Sequence, residues 1–182
     1  MTIYDLELAS YRQELRRLVA DGDAVRVAET VREGTSLTHY ALGLSNRGNM
    51  ILVGLCGLVE ALLSDIALTE EAKSPFRLEE IRGVGRKRIQ LFLTRIGAID
   101  FKVLPSWPEF ERLYRIRNSI VHGHGGLVSS GSLSKVKNAL KSLNMQEILV
   151  GDRRIRMNEA SLRSAHTIVS NVVREIQRLH SS

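Results

Sequence analysis

Residues 106–126 read SWPEFERLYRIRNSIVHGHGG, and the fold turns on how this stretch is read. Ser106 and Glu109 have the spacing of a capping box, and Pro108 is tolerated in a first helical turn. The pattern therefore predicts a helix from about Trp107 to Val121, ended at Gly123, with Gly125 and Gly126 beyond it. At about 100° per residue, Phe110, Leu113, Tyr114 and Val121 fall within one arc. Arg117 lies inside that arc. A guanidinium stays charged in any protein, so an inward-facing arginine requires an anionic partner. Asn118 and His122 are four residues apart, hence neighbours on the helix surface to one side of Arg117.

Outward from this helix, the run MILVGLCGLVEALLSDIAL (50–68) is the most apolar in the chain, interrupted by Glu60, Ser64 and Asp65. It reads as a buried helix and not as a membrane span. Gly54 and Gly57 give a neighbouring helix room to approach, and Asn46 or Asn49 is a candidate cap. Upstream, Tyr4, Leu8, Tyr11, Leu15 and Leu18 recur at spacings of four and three, an amphipathic helix that stops at Asp21-Gly22-Asp23. A weaker helix is expected over 24–33, broken at Gly34, and 37–45 reads as helix or linker. Ser74-Pro75 marks a loop.

Two short helical pieces are expected over 78–96, around Gly83-Val84-Gly85. Downstream, Ile148, Val150, Ile155 and Met157 alternate around Gly151-Asp152, which predicts a small hairpin. A closing helix follows from the stripe Leu162, Ala165, Ile168, Val169, Val172, Val173, Ile176 and Leu179, with Asn158 as its cap. The expected class is all-α, a helical bundle with one small β-hairpin near the C-terminus, as a single domain over 1–182.

Composition bounds the function. The chain has 182 residues, enough for one compact core, and a net charge of +6 made mainly of 20 Arg against 6 Lys. Guanidinium groups bind phosphate in a forked way that ammonium does not, so a polyanionic partner such as nucleic acid is expected. The single cysteine, Cys56, forms no internal disulfide, and the first residues carry no signal peptide pattern; both fit a cytoplasmic protein. His122-Gly123-His124 has no carboxylate or cysteine at ligand spacing, so no metal site and no cofactor are expected.

An always-charged fork, an amide and an imidazole on one rim can bind a phosphodiester and move protons at it. Cleaving RNA without metal needs a base for the 2′-hydroxyl proton, positive charge at phosphorus and an acid for the leaving 5′-oxygen. One helix supplies half of this, and a twofold dimer pairing the face with itself supplies the rest. An arginine followed five residues later by a histidine is expected about 0.5 times from composition alone, so context matters more than the bare spacing.

In that context Arg117-Asn118-Ser119-Ile120-Val121-His122 resembles the signature of the HEPN superfamily (higher eukaryotes and prokaryotes nucleotide-binding): an arginine, a polar neighbour, and a histidine after four to six positions. The apolar helix with a lone acid (LVGLCGLVEALLSDI), the lead-in SWPEFERLYRIRN, the hairpin and the closing helix extend the resemblance over most of residues 40–180. They are similar to the prokaryotic RiboL-PSP-type proteins. Residues 1–35 form an N-terminal helical extension outside the resemblance.

The resemblance implies a homodimer with the site at its interface and metal-independent endoribonuclease activity leaving 2′,3′-cyclic phosphate ends. It also implies a toxin–antitoxin or phage-defence role, with a protein antitoxin as a partner. By carry-over, Arg117 binds the scissile phosphate, His122 is acid or base, and Asn118 orients phosphate or imidazole. His124 also satisfies the permitted spacing. It further occupies the position where some relatives carry a tyrosine that is modified by a nucleotidyltransferase, so that form of inhibition is not implied.

Two further features are singled out by the residues. Glu60, alone in its apolar helix, is a candidate to face Arg117. The segment LEEIRGVGRKRIQLFLTRIG resembles a helix-hairpin-helix, and its Arg82, Arg86, Lys87 and Arg88 form a basic patch suited to an RNA backbone. The competing functions are a HEPN fold that binds RNA or a nucleotide without cutting it, and a DNA-binding module built on the Gly83-Val84-Gly85 turn. Trp107 is expected in the core.

Overall fold

The computed structural model describes Gln13, Arg17, Ala20, 24–123, 126–151 and 153–180, with backbone alone over 24–46. The expected N-terminal stripe from Tyr4 to Leu18, and His124, lie outside the described residues. Contacts gather the chain into two compact units, Met1–Arg47 and Gly48–Ser182. Among the described residues the fold is helical with one two-stranded antiparallel sheet, the all-α class with a small hairpin that the sequence predicts.

Helix α1 (Ala24–Glu71) is continuous, which corrects the expected break at Gly34 and makes 37–45 the helix of its two expected alternatives. A glycine inside a helix costs only about 1 kcal/mol, and no proline occurs before Pro75, so nothing local forces a stop. Asn49 is therefore not a cap. It is buried in mid-helix, where its amide Nδ2 donates to the Ile155 carbonyl at 3.1 Å and its Oδ1 accepts from the Met157 amide at 3.2 Å.

The segment Arg47–Glu71 is long and apolar enough to cross a membrane by length and composition. In the second unit it buries one face only: Leu52, Cys56, Val59 and Leu63 are fully enclosed, while Met50, Ile51, Leu58 and Leu68 are more than half exposed. The expected buried helix thus buries one face and leaves the other exposed.

A 3-10 turn (Leu78–Glu80) leads to α2 (Gly85–Arg95), then α3 (Trp107–His122) and α4 (Ser130–Ser142). Strands β1 (Leu149–Val150) and β2 (Arg154–Ile155) pair Leu149 with Ile155 and Val150 with Arg154, and α5 (Glu159–His180) closes the unit. Asn158 caps α5 as expected, accepting from the Ser161 amide at 2.8 Å. The capping box predicted at α3 does not form. Ser106 instead gives its hydroxyl and its amide to the Glu175 carboxylate on α5, at 2.7 and 3.1 Å. A long-range carboxylate satisfies both donors of Ser106 at once, so α3 is anchored to α5 by the residue that precedes it.

The core draws on Trp107, Phe110, Leu113, Ile116 and Ile120 from α3, Val136 and Leu140 from α4, and Ala165, Ile168, Val169, Val172 and Ile176 from α5. Phe101, Trp107, Phe110 and Tyr114 form a chain of tilted aromatic contacts with centroids 4.5 to 5.9 Å apart. Trp107 is buried, as the sequence predicts.

The hairpin positions the end of α3. Leu127 bridges to Arg154, the Ile155 amide donates to the Gly126 carbonyl at 2.9 Å, and the Val128 amide donates to the Arg153 carbonyl at 2.7 Å. Residues 126–128 thus act as a third edge of the hairpin, and Asn49 ties that edge to α1. Gly126, at φ +84°, sits where a Cβ would lie 2.7 Å from the Ile155 carbonyl. Gly123 ends α3 in an extended conformation (φ −109°). Its requirement is closeness and not handedness, since a Cβ there would collide with the Leu127 and Ser119 carbonyls.

Candidate active site

On α3 the buried residues follow one another at spacings of three, three, three and four: Trp107, Phe110, Leu113, Ile116, Ile120. Three residues fall about 60° short of a full turn, so the core-facing direction walks around the helix as it advances. By the last two turns it has left the arc of Phe110 and Tyr114. Tyr114 and Arg117 lie half-buried on the flank and Val121 is exposed, which corrects the expectation of Arg117 and Val121 within the core. A second series, Glu111, Arg115, Asn118 and His122, at spacings of four, three and four, lines the adjacent cleft.

That cleft has a volume of about 450 Å³ and lies between the end of α3, the start of α2 and Glu60 of α1. It brings together Arg117, Asn118 and His122, as the sequence predicts, with Lys87 and Arg115 beside them. Glu60 also meets its expectation of proximity. Its carboxylate accepts from the Tyr114 phenol in a short hydrogen bond and stands 3.4 Å from Arg117 Nη2. The latter is long for a charge-assisted contact. Arg117 Nη1 donates to Asn118 Oδ1 at 3.0 Å, Nε has no partner, and the guanidinium carbon lies 5.1 Å from the Tyr114 ring centroid. Because Asn118 Oδ1 accepts from Arg117, its amide nitrogen is left as a donor.

Burial, and then the bond and charge of Glu60, push the Tyr114 phenol above its ordinary range. It therefore remains the donor to Glu60 at neutral pH. His122 is exposed at the cleft's rim, and it makes no hydrogen bond or ion pair among the described residues.

The basic patch around Gly83-Val84-Gly85 is exposed in part, and one of its four cations is enclosed. Arg82 and Lys87 are exposed, and Arg88 Nε bonds back to the Gly83 carbonyl at 2.8 Å. Arg86 is buried, with 5% side-chain exposure, its Nη1 2.6 Å from Glu111 and its guanidinium 4.2 Å from the Tyr114 centroid. It also reaches Trp107 and Phe110 at 5.4 and 5.8 Å. Arg86 is a structural ion pair beneath the cleft, and Lys87 is the cation of that segment facing it. Among the described residues no group of three His, Cys, Asp or Glu is placed to hold a metal.

Sequence reasoning missed Glu111, Tyr114 and Arg115. The polar series 111, 115, 118, 122 was visible as a signal, since it repeats at the helical period beside the apolar one. The arrangement presents unpaired guanidinium, ammonium, amide and imidazole donors around a concavity whose two carboxylates, Glu60 and Glu111, already have partners. Such a site accepts an anion. No protein-family model, curated protein or solved structure matches the chain.

Proposed function

We propose that this protein is a metal-independent endoribonuclease of HEPN type, with Arg117, Asn118 and His122 acting on the scissile phosphate. The observation that carries this reading is the cleft in which these three side chains meet Lys87 and Arg115, while the nearby carboxylates are held by Tyr114, Arg117 and Arg86. Arg117 places its fork on the phosphate and offsets the charge that grows on the crowded phosphorus. His122 takes the 2′-hydroxyl proton or returns one to the 5′-oxygen. Asn118, its carbonyl fixed by Arg117, donates from its amide nitrogen to phosphate or imidazole.

A single copy provides one imidazole, and in-line cleavage uses both a base and an acid. A second copy related by a twofold axis supplies the other imidazole and a second guanidinium, so the working form is a homodimer with a composite site. His124 is the alternative imidazole. An effector role in a toxin–antitoxin or phage-defence system, restrained by a protein antitoxin, in the cytoplasm and without a bound membrane, follows from the same reading.

The test compares a labelled RNA with its 2′-deoxy counterpart in EDTA. The ribonuclease reading predicts cleavage of the RNA alone, with 2′,3′-cyclic phosphate ends. Binding of an RNA that stays intact supports instead the adaptor reading, which the exposed and unpaired His122 accommodates equally well. Sedimentation of the full chain as a monomer at the concentration that cleaves would remove the composite site.

A further inference from the structure

The end of α3 has a second cleft on its other side, of about 200 Å³. Arg115, Asn118 and His122 line both clefts, so the two concavities meet along the ridge that carries the imidazole. We infer that the second cleft holds the RNA nucleotide next to the scissile phosphate, and that Lys135 and Ser132 contact its backbone. This inference rests on the ribonuclease reading of the site.

The chemistry of the walls supports a nucleotide. Val136 is buried and Leu127 partly exposed, giving the apolar surfaces a base or ribose packs against. Lys135 and Arg115 are exposed, and neither side chain makes a hydrogen bond or ion pair among the described residues. No carboxylate lines the cleft. Ser132 Oγ accepts from Ser129 Oγ at 3.1 Å, which leaves its own proton to donate to a phosphate or ribose oxygen. Lys87, Arg117, Arg115 and Lys135 then lie along one route over the helix end, the arrangement that tracks a single strand.

At the edge of this cleft Leu127 bridges to Arg154 of the hairpin, and Arg153 donates to the Val128 carbonyl at 3.2 Å and to Ser130 Oγ at 3.2 Å. A preformed wall of this kind limits what the nucleotide contact costs in ordering.

The experiment measures binding of a short, labelled, fully 2′-O-methylated single-stranded RNA to the full chain across a salt series. Lys135→Ala is compared with Lys141→Ala, which removes the same charge from the same helix away from the cleft. The inference predicts about a tenfold loss of affinity for Lys135→Ala and a salt slope lowered by about 0.7, with Lys141→Ala like wild type. Ser132→Ala is expected to weaken binding by a smaller factor and to leave the slope unchanged. Equal behaviour of the two lysine variants overturns the inference. Cleavage of ordinary RNA is followed in parallel. Cleavage with equal lysine variants removes only the second cleft; selective loss at Lys135 without any cleavage keeps that cleft and removes the nuclease reading.

Discussion

Arg86 and Arg117 make a natural pair, since both guanidiniums rest against the ring of Tyr114, at 4.2 and 5.1 Å. Arg86 is enclosed and holds Glu111 at 2.6 Å; Arg117 is 19% exposed in its side chain and meets Glu60 only at 3.4 Å. One arginine is committed to the fold by a short, enclosed ion pair and the other is held by a longer one at the edge of a cleft. The short, enclosed ion pair commits Arg86 to the fold, although its buried Nε, like that of Arg117, has no partner. The looser one at a cleft keeps bonding capacity for a phosphate. The difference teaches that the count of arginines near a cleft says little, and that the quality of each one's existing partner says which of them can act.

The largest expected effect separates the two by activity. Arg117→Ala should lower RNA cleavage by about 10²- to 10³-fold with a melting temperature close to wild type. Arg117→Lys should recover little of it, because the fork and not the charge alone is needed. A variant that cleaves normally would merge the two arginines into one structural class.

Next comes the reverse case. Glu111→Ala leaves Arg86 charged and enclosed, which should cost about 3 kcal/mol in urea unfolding; a cost near zero would mean that Arg86 is not committed as described. Asn49→Leu should cost about 2 kcal/mol, since it leaves the Ile155 carbonyl and the Met157 amide buried without partners. Loosening of the 126–128 edge should then lower cleavage as well. Tyr114→Phe removes the phenol that holds Glu60 and keeps the ring between the arginines. A stability loss of about 1 kcal/mol is expected, with a several-fold fall in cleavage through a less well-placed Arg117.

A further effect concerns pH. Burial pushes the Cys56 thiol from an ordinary 9.0 up to about 12. The folded value is the higher, so the neutral thiol's contribution to stability is intact below about pH 9 and is lost as pH rises towards 12. Wild type should therefore lose stability across that window more steeply than Cys56→Ala, and maleimide should label the native protein slowly at pH 8. Parallel alkaline curves would contradict this.

Much of the architecture was legible because periodicity reports burial directly: the helix ending at Gly123, the hairpin at Gly151 and the stripe of α5 all follow from spacing. The failures have physical causes. Gly34 predicted a break, but a single glycine is a weak penalty within a long helix. Ser106 predicted a local cap, and Glu175, far away in sequence, took its donors instead. Arg117 was placed in the core by a fixed wheel, whereas the seam of α3 rotates as it advances. Arg86 was grouped with a basic, RNA-facing patch by its neighbours' charge, and only the aromatic trio of Trp107, Phe110 and Tyr114 reveals why it is buried. The rim of Arg117, Asn118 and His122 was readable because its members share one helix; the partners that decide its chemistry come from other helices or from unremarked positions.

The central claim is that the end of α3 cuts RNA with its own arginine and imidazole. Its most direct test is a side-by-side assay of wild type, Arg117→Ala and His122→Ala on one labelled RNA in EDTA, with each variant first shown to be folded. Cleavage by wild type and loss in both variants is the predicted result, and equal cleavage by all three would contradict it.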